Sequence, residues 1–166
     1  GIISDEAHHD PSRGFVGGYE METVSLGLPF MAAFFDPGAW GSDFTGALDQ
    51  YDHMAGMWLV GEDMPRESNR ITLNTDLKDA FGMPVANVHY DDHPNDIAMR
   101  EHAYRQGSAI YESVGAKNIY RTPPYPSTHN LGSCRMSQRA QDGVCNGFGQ
   151  SHDIPNLFIS DGSQFT

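Results

Sequence analysis

The stretch that decides the fold is residues 95–114, which reads NDIAMREHAYRQGSAIYESV. Ile97, Tyr104 and Tyr111 recur in it every seven residues, and smaller apolar residues fill the three- and four-residue spacings between them. This periodicity is typical of an amphipathic α-helix. Gly115 follows directly, where the C-terminus of a helix favours glycine. The sequence therefore predicts one long helix that ends near this glycine.

The segments on either side of this helix are predicted to be strands, because they alternate apolar with polar residues or are rich in β-branched and aromatic residues. Regular helices do not separate them, which argues against a doubly wound parallel sheet. The predicted fold class is α+β, an antiparallel sheet of about five strands with the long amphipathic helix packed on one face. A short helix is predicted from Ser42 or Asp43 to about Tyr51. The predicted strands cover residues 14–24, 54–61, 69–74, 84–90 and 117–121.

Composition and charge exclude several classes of protein. The chain has 166 residues, 39% of them hydrophobic, which fits a single domain with a core. A net charge of −12 disfavours a nucleic-acid partner or a polybasic membrane surface, and it is compatible with a neutral or cationic small substrate. No apolar run is long enough to predict a membrane-spanning segment. We expect a soluble protein, whether cytoplasmic, periplasmic or secreted. Cys134 and Cys145 do not form a disulfide framework, and both a pair and two free thiols are compatible with their spacing.

Two stretches near the C-terminus carry the candidate chemistry. Residues 127–136 read STHNLGSCRM, and residues 153–163 read DIPNLFISDGS. A proline-rich run delivers His129, and Gly132 permits a tight turn three residues later. Imidazole on a stiff loop suits general base catalysis, since its ordinary pKa is about 6.5. The residues alone leave open an ordinary surface histidine, and Asp161 could equally be a turn residue after a strand at 157–162.

In this order, the two stretches resemble the C-terminal part of the glucose-methanol-choline (GMC) flavin oxidoreductases. The resemblance implies that His129 lies by the flavin N5 and accepts the proton of a substrate hydroxyl while hydride leaves for the flavin. It also implies that Asp161 and the backbone of Gly162 touch FAD, and that Arg135 holds the loop through backbone hydrogen bonds. The implied activity is a choline dehydrogenase-like oxidation of CH–OH groups in alcohols or sugars, by a dehydrogenase or an oxidase.

The resemblance further predicts that the chain is a C-terminal piece of a longer enzyme. Residues 1–12 are expected to be a flexible lead-in, residues 13–125 a substrate-binding domain, and residues 126–166 an active-site loop and a strand returning to a FAD-binding domain not present in this chain. No Gly-x-Gly-x-x-Gly fingerprint occurs in a strand–helix context. The second catalytic His or Asn of the family would follow Thr166. We therefore expect the chain alone to be inactive and not to hold FAD, its partner being the FAD-binding domain of the same polypeptide.

Other interpretations compete with this one. The whole protein could be a hydroxynitrile lyase of the same family, which keeps FAD without using its redox chemistry, or the chain could be a free-standing small-molecule-binding module whose motif match is accidental. No metal site is predicted, because the histidine clusters lack a recognised ligand spacing. A group of five aromatic residues is expected to form part of the core and of the interface with the FAD-binding domain, although it could line a substrate pocket. The histidine clusters are His8–His9–Asp10 and residues 89–93, and the aromatic group is Phe30, Phe34, Phe35, Trp40 and Trp58.

Overall fold

The computed structural model describes residues 2–4, 10–24, 38–125 and 128–165. The chain divides into two compact units. The first unit comprises Gly1–Met64 and Asp92–Tyr125, and the second comprises Pro65–Asp91 and Pro126–Thr166. The predicted division after residue 125 coincides with a boundary between the units, but residues 65–91, expected in the substrate-binding domain, belong to the second unit. The assignment of functions to these segments stays a prediction.

The described residues of the first unit form a three-stranded antiparallel sheet and two α-helices. The order of the strands is β1–β2–β3, with β2 in the centre. Two short 3-10 helices, Pro11–Arg13 and Tyr51–His53, connect these elements. The elements are β1 (Ile2–Ser4), β2 (Tyr19–Val24), α1 (Ser42–Leu48), β3 (Gly56–Gly61) and α2 (Pro94–Ser113).

The hydrophobic core of the first unit lies between α2 and one face of the sheet. Met99 and Ala103 of α2 are buried together with Tyr19 and Met21 of β2, and part of β3 packs against them. Gly107 of α2 faces β3, and a Cβ atom there would lie in van der Waals contact with the sulfur of Met57, at 3.4 Å. A helix packed on one face of an antiparallel sheet was predicted, and the structure confirms it.

The ends of α2 agree with the sequence pattern to within one residue. Pro94 occupies the first turn, where its missing N–H costs no intrahelical hydrogen bond. His93 is the N-cap, and its Nδ1 accepts a hydrogen bond from the Asn95 N–H at 3.0 Å. Just after the helix, Gly115 has a φ of 84°, the left-handed conformation that favours glycine.

The second unit contains an antiparallel hairpin of β4 (Arg70–Lys78) and β5 (Pro84–His89). The turn is held by Asp79, whose Oδ1 accepts hydrogen bonds from the N–H groups of Phe81 at 2.8 Å and Met83 at 2.9 Å. The α+β class is thus confirmed. The single sheet of five strands is not, because the strands form one three-stranded and one two-stranded sheet.

Two predicted strands are not observed, and one observed strand was not predicted. Residues 117–121 are not a strand, because side chains tie this segment to α2 instead: Arg121 pairs with Glu101 and lies 3.9 Å above the ring of Tyr104. Residues 157–162 form only an isolated bridge, between Phe158 and Gln150, because the facing segment is itself irregular. Residues 2–4, within the expected flexible lead-in, form β1 and pair with β2.

Candidate active site

The two motif stretches of the sequence are joined side by side in the second unit. The N–H of Cys134 donates to the carbonyl of Ser163 at 2.9 Å, and the N–H of Met136 donates to the carbonyl of Gln164 at 2.9 Å. These are backbone hydrogen bonds between segments almost thirty residues apart. The loop that carries His129 is therefore fixed to the segment that carries Asp161.

His129 is exposed and directly precedes Asn130, whose carbonyl oxygen lies close to Gly162. A Cβ atom on Gly162 would lie 3.0 Å from the carbonyl oxygen of Asn130 and 3.6 Å from the side chain of Leu131. A Cβ atom at position 162 would therefore fit only if the Asn130 carbonyl moved by a few tenths of an ångström. Gly132 has a φ of 84°, which agrees with the tight turn predicted there.

Asp161 uses its carboxylate to cap the short 3-10 helix Gly162–Gln164. Oδ1 accepts a hydrogen bond from the Ser163 N–H at 2.8 Å and a second from the Ser163 hydroxyl. The hydroxyl bond first, and then the backbone bond, lower the pKa of Asp161 below its ordinary value, because both favour the charged form. The carboxylate is exposed, and it is held in one orientation as an anion.

Behind this site, Arg135 and the two cysteines hold the loop together. The Nε of Arg135 donates to the carbonyl of Asp142 at 2.6 Å, and the carbonyl of Arg135 accepts from the N–H of Val144 at 3.0 Å. Arg135 therefore fills a structural role, as the sequence predicted. Both cysteines are free thiols. Cys145 is completely buried, and its Sγ donates to the carbonyl of Cys134 at 3.3 Å.

A turn at residues 146–150 supports the segment that leads to Asp161, and sequence reasoning missed it. Oδ1 of Asn146 accepts hydrogen bonds from the N–H groups of Phe148 and Gln150 at 2.9 and 3.2 Å. The carbonyl of Gly149 accepts from the N–H of Ile159 at 2.8 Å. Asparagine followed by glycines at 147 and 149 was the available signal for such a turn.

The other candidate residues that the structure describes make local contacts or are exposed. Nε2 of His89 lies 3.2 Å from a carboxylate oxygen of Asp91, and His93 caps α2. Within the described ranges, no three or more His, Cys, Asp and Glu side chains cluster as metal ligands would. Trp40 is 85% exposed. His8, His9, Phe30, Phe34 and Phe35 lie outside the described residues.

Comparison with known proteins defines the class. The family model for GMC oxidoreductases matches residues 65–166, which is more than half of the chain and includes both motif stretches. The chain therefore belongs to the GMC oxidoreductase family, and the alternative of an accidental motif match is wrong.

Relatives within this family are flavoprotein dehydrogenases and oxidases. The chain is 34% identical to 2-methyl-1,2-propanediol dehydrogenase of Mycolicibacterium austroafricanum, over 99% of this chain and 32% of that protein. It is 27% identical to the gluconate 2-dehydrogenase flavoprotein of Pantoea cypripedii, over 98% of this chain and 28% of that protein. Paromamine 6'-oxidase of Streptomyces fradiae is 26% identical over 60% of this chain and 19% of its own length. The chain thus spans about a third of the length of the first two relatives.

A search of the described part of the chain finds no helix that is both long and apolar enough to cross a membrane.

Proposed function

We propose that this chain is the C-terminal portion of an FAD-dependent oxidoreductase that oxidises a CH–OH group of an alcohol or sugar. The observation that carries the proposal is the pair of hydrogen bonds, each 2.9 Å long, between the loop of His129 and the segment of Asp161. They bring together the two stretches to which the family resemblance assigns the base and the cofactor contact. The relatives, two dehydrogenases and an oxidase by name, support the same reaction class.

His129 is proposed as the general base. Its neighbours Asn130 and Leu131 are held against Gly162, so the backbone on its C-terminal side is fixed. Its side chain is exposed and can meet a substrate. Neutral imidazole would take the hydroxyl proton, a role typically worth ~10²–10⁴ in rate. FAD would supply the acceptor for the hydride.

Asp161 and Gly162 are proposed to contact FAD, and their surroundings suit a cofactor with an apolar ring system and a polar edge. Asp161 offers an oriented, exposed anionic acceptor. Leu131 is 60% exposed and Phe165 54%, so apolar side chains are available on both segments next to it. Binding sites for such ligands combine apolar side chains with a few oriented polar groups, and the surroundings of Asp161 offer both.

The FAD-binding domain is proposed to be the partner of the second unit. Four phenylalanines of this unit are more than half exposed, and large exposed apolar groups are typical of interaction surfaces. They are Phe81 at 91%, Phe148 at 89%, Phe158 at 60% and Phe165 at 54%. We expect the 166 residues alone to bind FAD weakly and to oxidise no alcohol. Alcohol oxidation by the isolated chain with added FAD would contradict this part of the proposal.

The test of the base is His129→Asn in the full-length protein. We expect kcat for alcohol oxidation to fall by roughly 10²–10⁴ while the flavin absorbance spectrum stays that of the wild type. His53→Asn is the matched control, since the side chain of His53 is 83% exposed and lies in the first unit. A His129→Asn variant that keeps near wild-type kcat would contradict the assignment. Reduction of an electron acceptor by the wild type separates an oxidoreductase from a lyase.

A further inference from the structure

The only two cysteines of the chain meet in the second unit, one of them on the motif stretch that carries His129. They are eleven positions apart in sequence, and the Sγ of Cys145 lies 3.3 Å from the carbonyl oxygen of Cys134. That oxygen is two covalent bonds from the Cα atom of Cys134, so the sulfur of Cys145 lies within about 6 Å of this Cα. A disulfide would place the same sulfur three bonds from this Cα, on the order of 4 Å away. A small movement is therefore enough to join the two residues.

Backbone hydrogen bonds hold the segments around the two cysteines in this position. The carbonyl of Arg135 accepts from the N–H of Val144 at 3.0 Å, and the carbonyl of Cys145 accepts from the N–H of Ser137 at 2.8 Å. These bonds involve no thiol, so they can persist when a thiol reacts. The segment that follows Cys134 and the segment that ends at Cys145 thus stay aligned with each other.

The two thiols differ in exposure. Cys145 is completely buried, whereas Cys134 is partly exposed. A dissolved oxidant therefore reaches Cys134 first, and Cys145 can react only with a group that already lies beside it. An accessible thiol next to a second, resolving thiol is typical of reversible redox cysteines.

We propose that Cys134 and Cys145 form a redox-sensitive pair, which hydrogen peroxide converts reversibly to a disulfide. The sulfur of Cys134 attacks one peroxide oxygen, which breaks the O–O bond and leaves a sulfenic acid and one water. The sulfur of Cys145 then displaces the hydroxyl group of the sulfenic acid, which leaves with the thiol proton as a second water while the S–S bond forms. In total the two thiols lose two electrons and two protons, and the peroxide takes them up.

The disulfide would act on the candidate site through the backbone of Cys134. Its N–H donates to the carbonyl of Ser163 at 2.9 Å, one of the bonds that join the loop of His129 to the segment of Asp161. Its carbonyl accepts from the thiol of Cys145, and oxidation removes this donor. Because a displacement of about 1 Å can cost roughly 10² in rate, we expect the oxidised form to have a kcat lower by roughly tenfold or more. This effect on kcat rests on the proposed function, whereas the disulfide itself does not.

Peptide mapping of the full-length protein tests the pair. The reduced, folded protein is treated with hydrogen peroxide, its remaining free thiols are blocked in acid, and its tryptic peptides are weighed with and without dithiothreitol. Cleavage after Arg135 and Arg139 puts the two cysteines in separate peptides, so a disulfide between them appears as a cross-linked peptide pair. We expect this pair after peroxide treatment, about 2 Da lighter than its two reduced peptides together, and its loss in dithiothreitol.

Variants assign the order of the two steps. Cys145→Ala should stop at the sulfenic acid of Cys134, which dimedone traps. Cys134→Ser should leave Cys145 as a thiol, and its kcat should not show the fall that dithiothreitol reverses in the wild type. Ser133→Ala is the matched control, because it changes an exposed neighbour and keeps both thiols. It should give the cross-linked pair as the wild type does.

The outcomes separate the two proposals. Sulfinic or sulfonic acid at Cys134 without the cross-linked pair overturns the redox pair, and so does a disulfide from Cys134 to a cysteine elsewhere in the full-length protein. A disulfide that forms while kcat stays that of the reduced protein overturns the effect on the candidate site. Absence of alcohol oxidation by the reduced wild type overturns the proposed function instead, while the peptide map still decides the question of the pair.

Discussion

Each of the two units of this chain is stabilised internally by a different kind of contact. In the first unit, Met99 and Ala103 of α2 and Tyr19 and Met21 of β2 form an apolar core under a sheet. In the described part of the second unit, the buried residues are Cys145, Gly149 and Ser151, and backbone hydrogen bonds connect the segments around them. Backbone hydrogen bonds and one buried thiol thus stabilise the second unit, whereas side-chain packing stabilises the first.

The difference explains where the candidate active site can be precise. A hydrogen-bonded loop fixes backbone positions well, but each of its bonds contributes only about 1 kcal/mol to stability. The geometry of the candidate site therefore depends on the few glycines at which a Cβ atom would clash with neighbouring backbone. In the first unit, stability depends on the volume of the buried side chains instead. Three substitutions test this contrast, from the largest expected effect to the smallest.

Gly149→Ala should have the largest effect, a loss of about 4 kcal/mol in the free energy of unfolding of the second unit. The φ of Gly149 is 77°, and a Cβ atom there would lie 2.5 Å from the carbonyl oxygen of Ile159, so a side chain meets both backbone strain and a clash. Urea unfolding of the full-length protein measures the loss. Gly147→Ala is the matched control, because a Cβ atom at position 147 meets nothing within 4 Å. Equal stability of the two variants would refute the contrast.

Met99→Ala should cost about 3 kcal/mol, through the cavity that it leaves in the core of the first unit. Met99 is 3% exposed, whereas Met83 in the second unit is 63% exposed. Met83→Ala should therefore change the free energy of unfolding by less than about 0.5 kcal/mol. Thermal and urea unfolding of both variants provide the measurement. A Met83→Ala variant as unstable as Met99→Ala would mean that the second unit has its own apolar core.

Glu101→Gln should have the smallest effect, a fall in melting temperature of about 2 °C at neutral pH. The hydrogen bond from Arg121 lowers the pKa of Glu101. Since the pKa is lower in the folded than in the unfolded state, the stabilisation is fully present above the unfolded pKa and is lost as the pH falls through the folded pKa. The difference between variant and wild type should thus vanish in acid. A difference that persists at low pH would point to lost packing rather than lost charge.

Sequence reasoning succeeded where one local pattern decides the structure. The spacing of Ile97, Tyr104 and Tyr111 predicted α2 to within one residue, because a long apolar stripe has few alternatives to a helix. It failed at residues 117–121, where strand-like composition was overridden by the contacts of Arg121 with α2. It also missed β1, since three residues carry too little pattern to be distinguished from a polar lead-in.

The candidate site was predictable only in part. The two motif stretches identified His129 and Asp161 as candidates, and the structure joins the segments that carry them. The joining itself could not be predicted from the sequence, because it rests on backbone N–H and carbonyl groups of Cys134, Met136 and their partners, which every residue except proline possesses.

The buried thiol of Cys145 gives the loop of His129 a built-in reporter of its own opening. A thiol with no exposed surface reacts with an alkylating reagent only when the loop around it opens, whereas the partly exposed Cys134 serves as an internal reference. The ratio of the two labelling rates therefore measures how often the loop opens. A lower ratio in the presence of a ligand would measure how far that ligand keeps the loop closed, without a label having to be introduced.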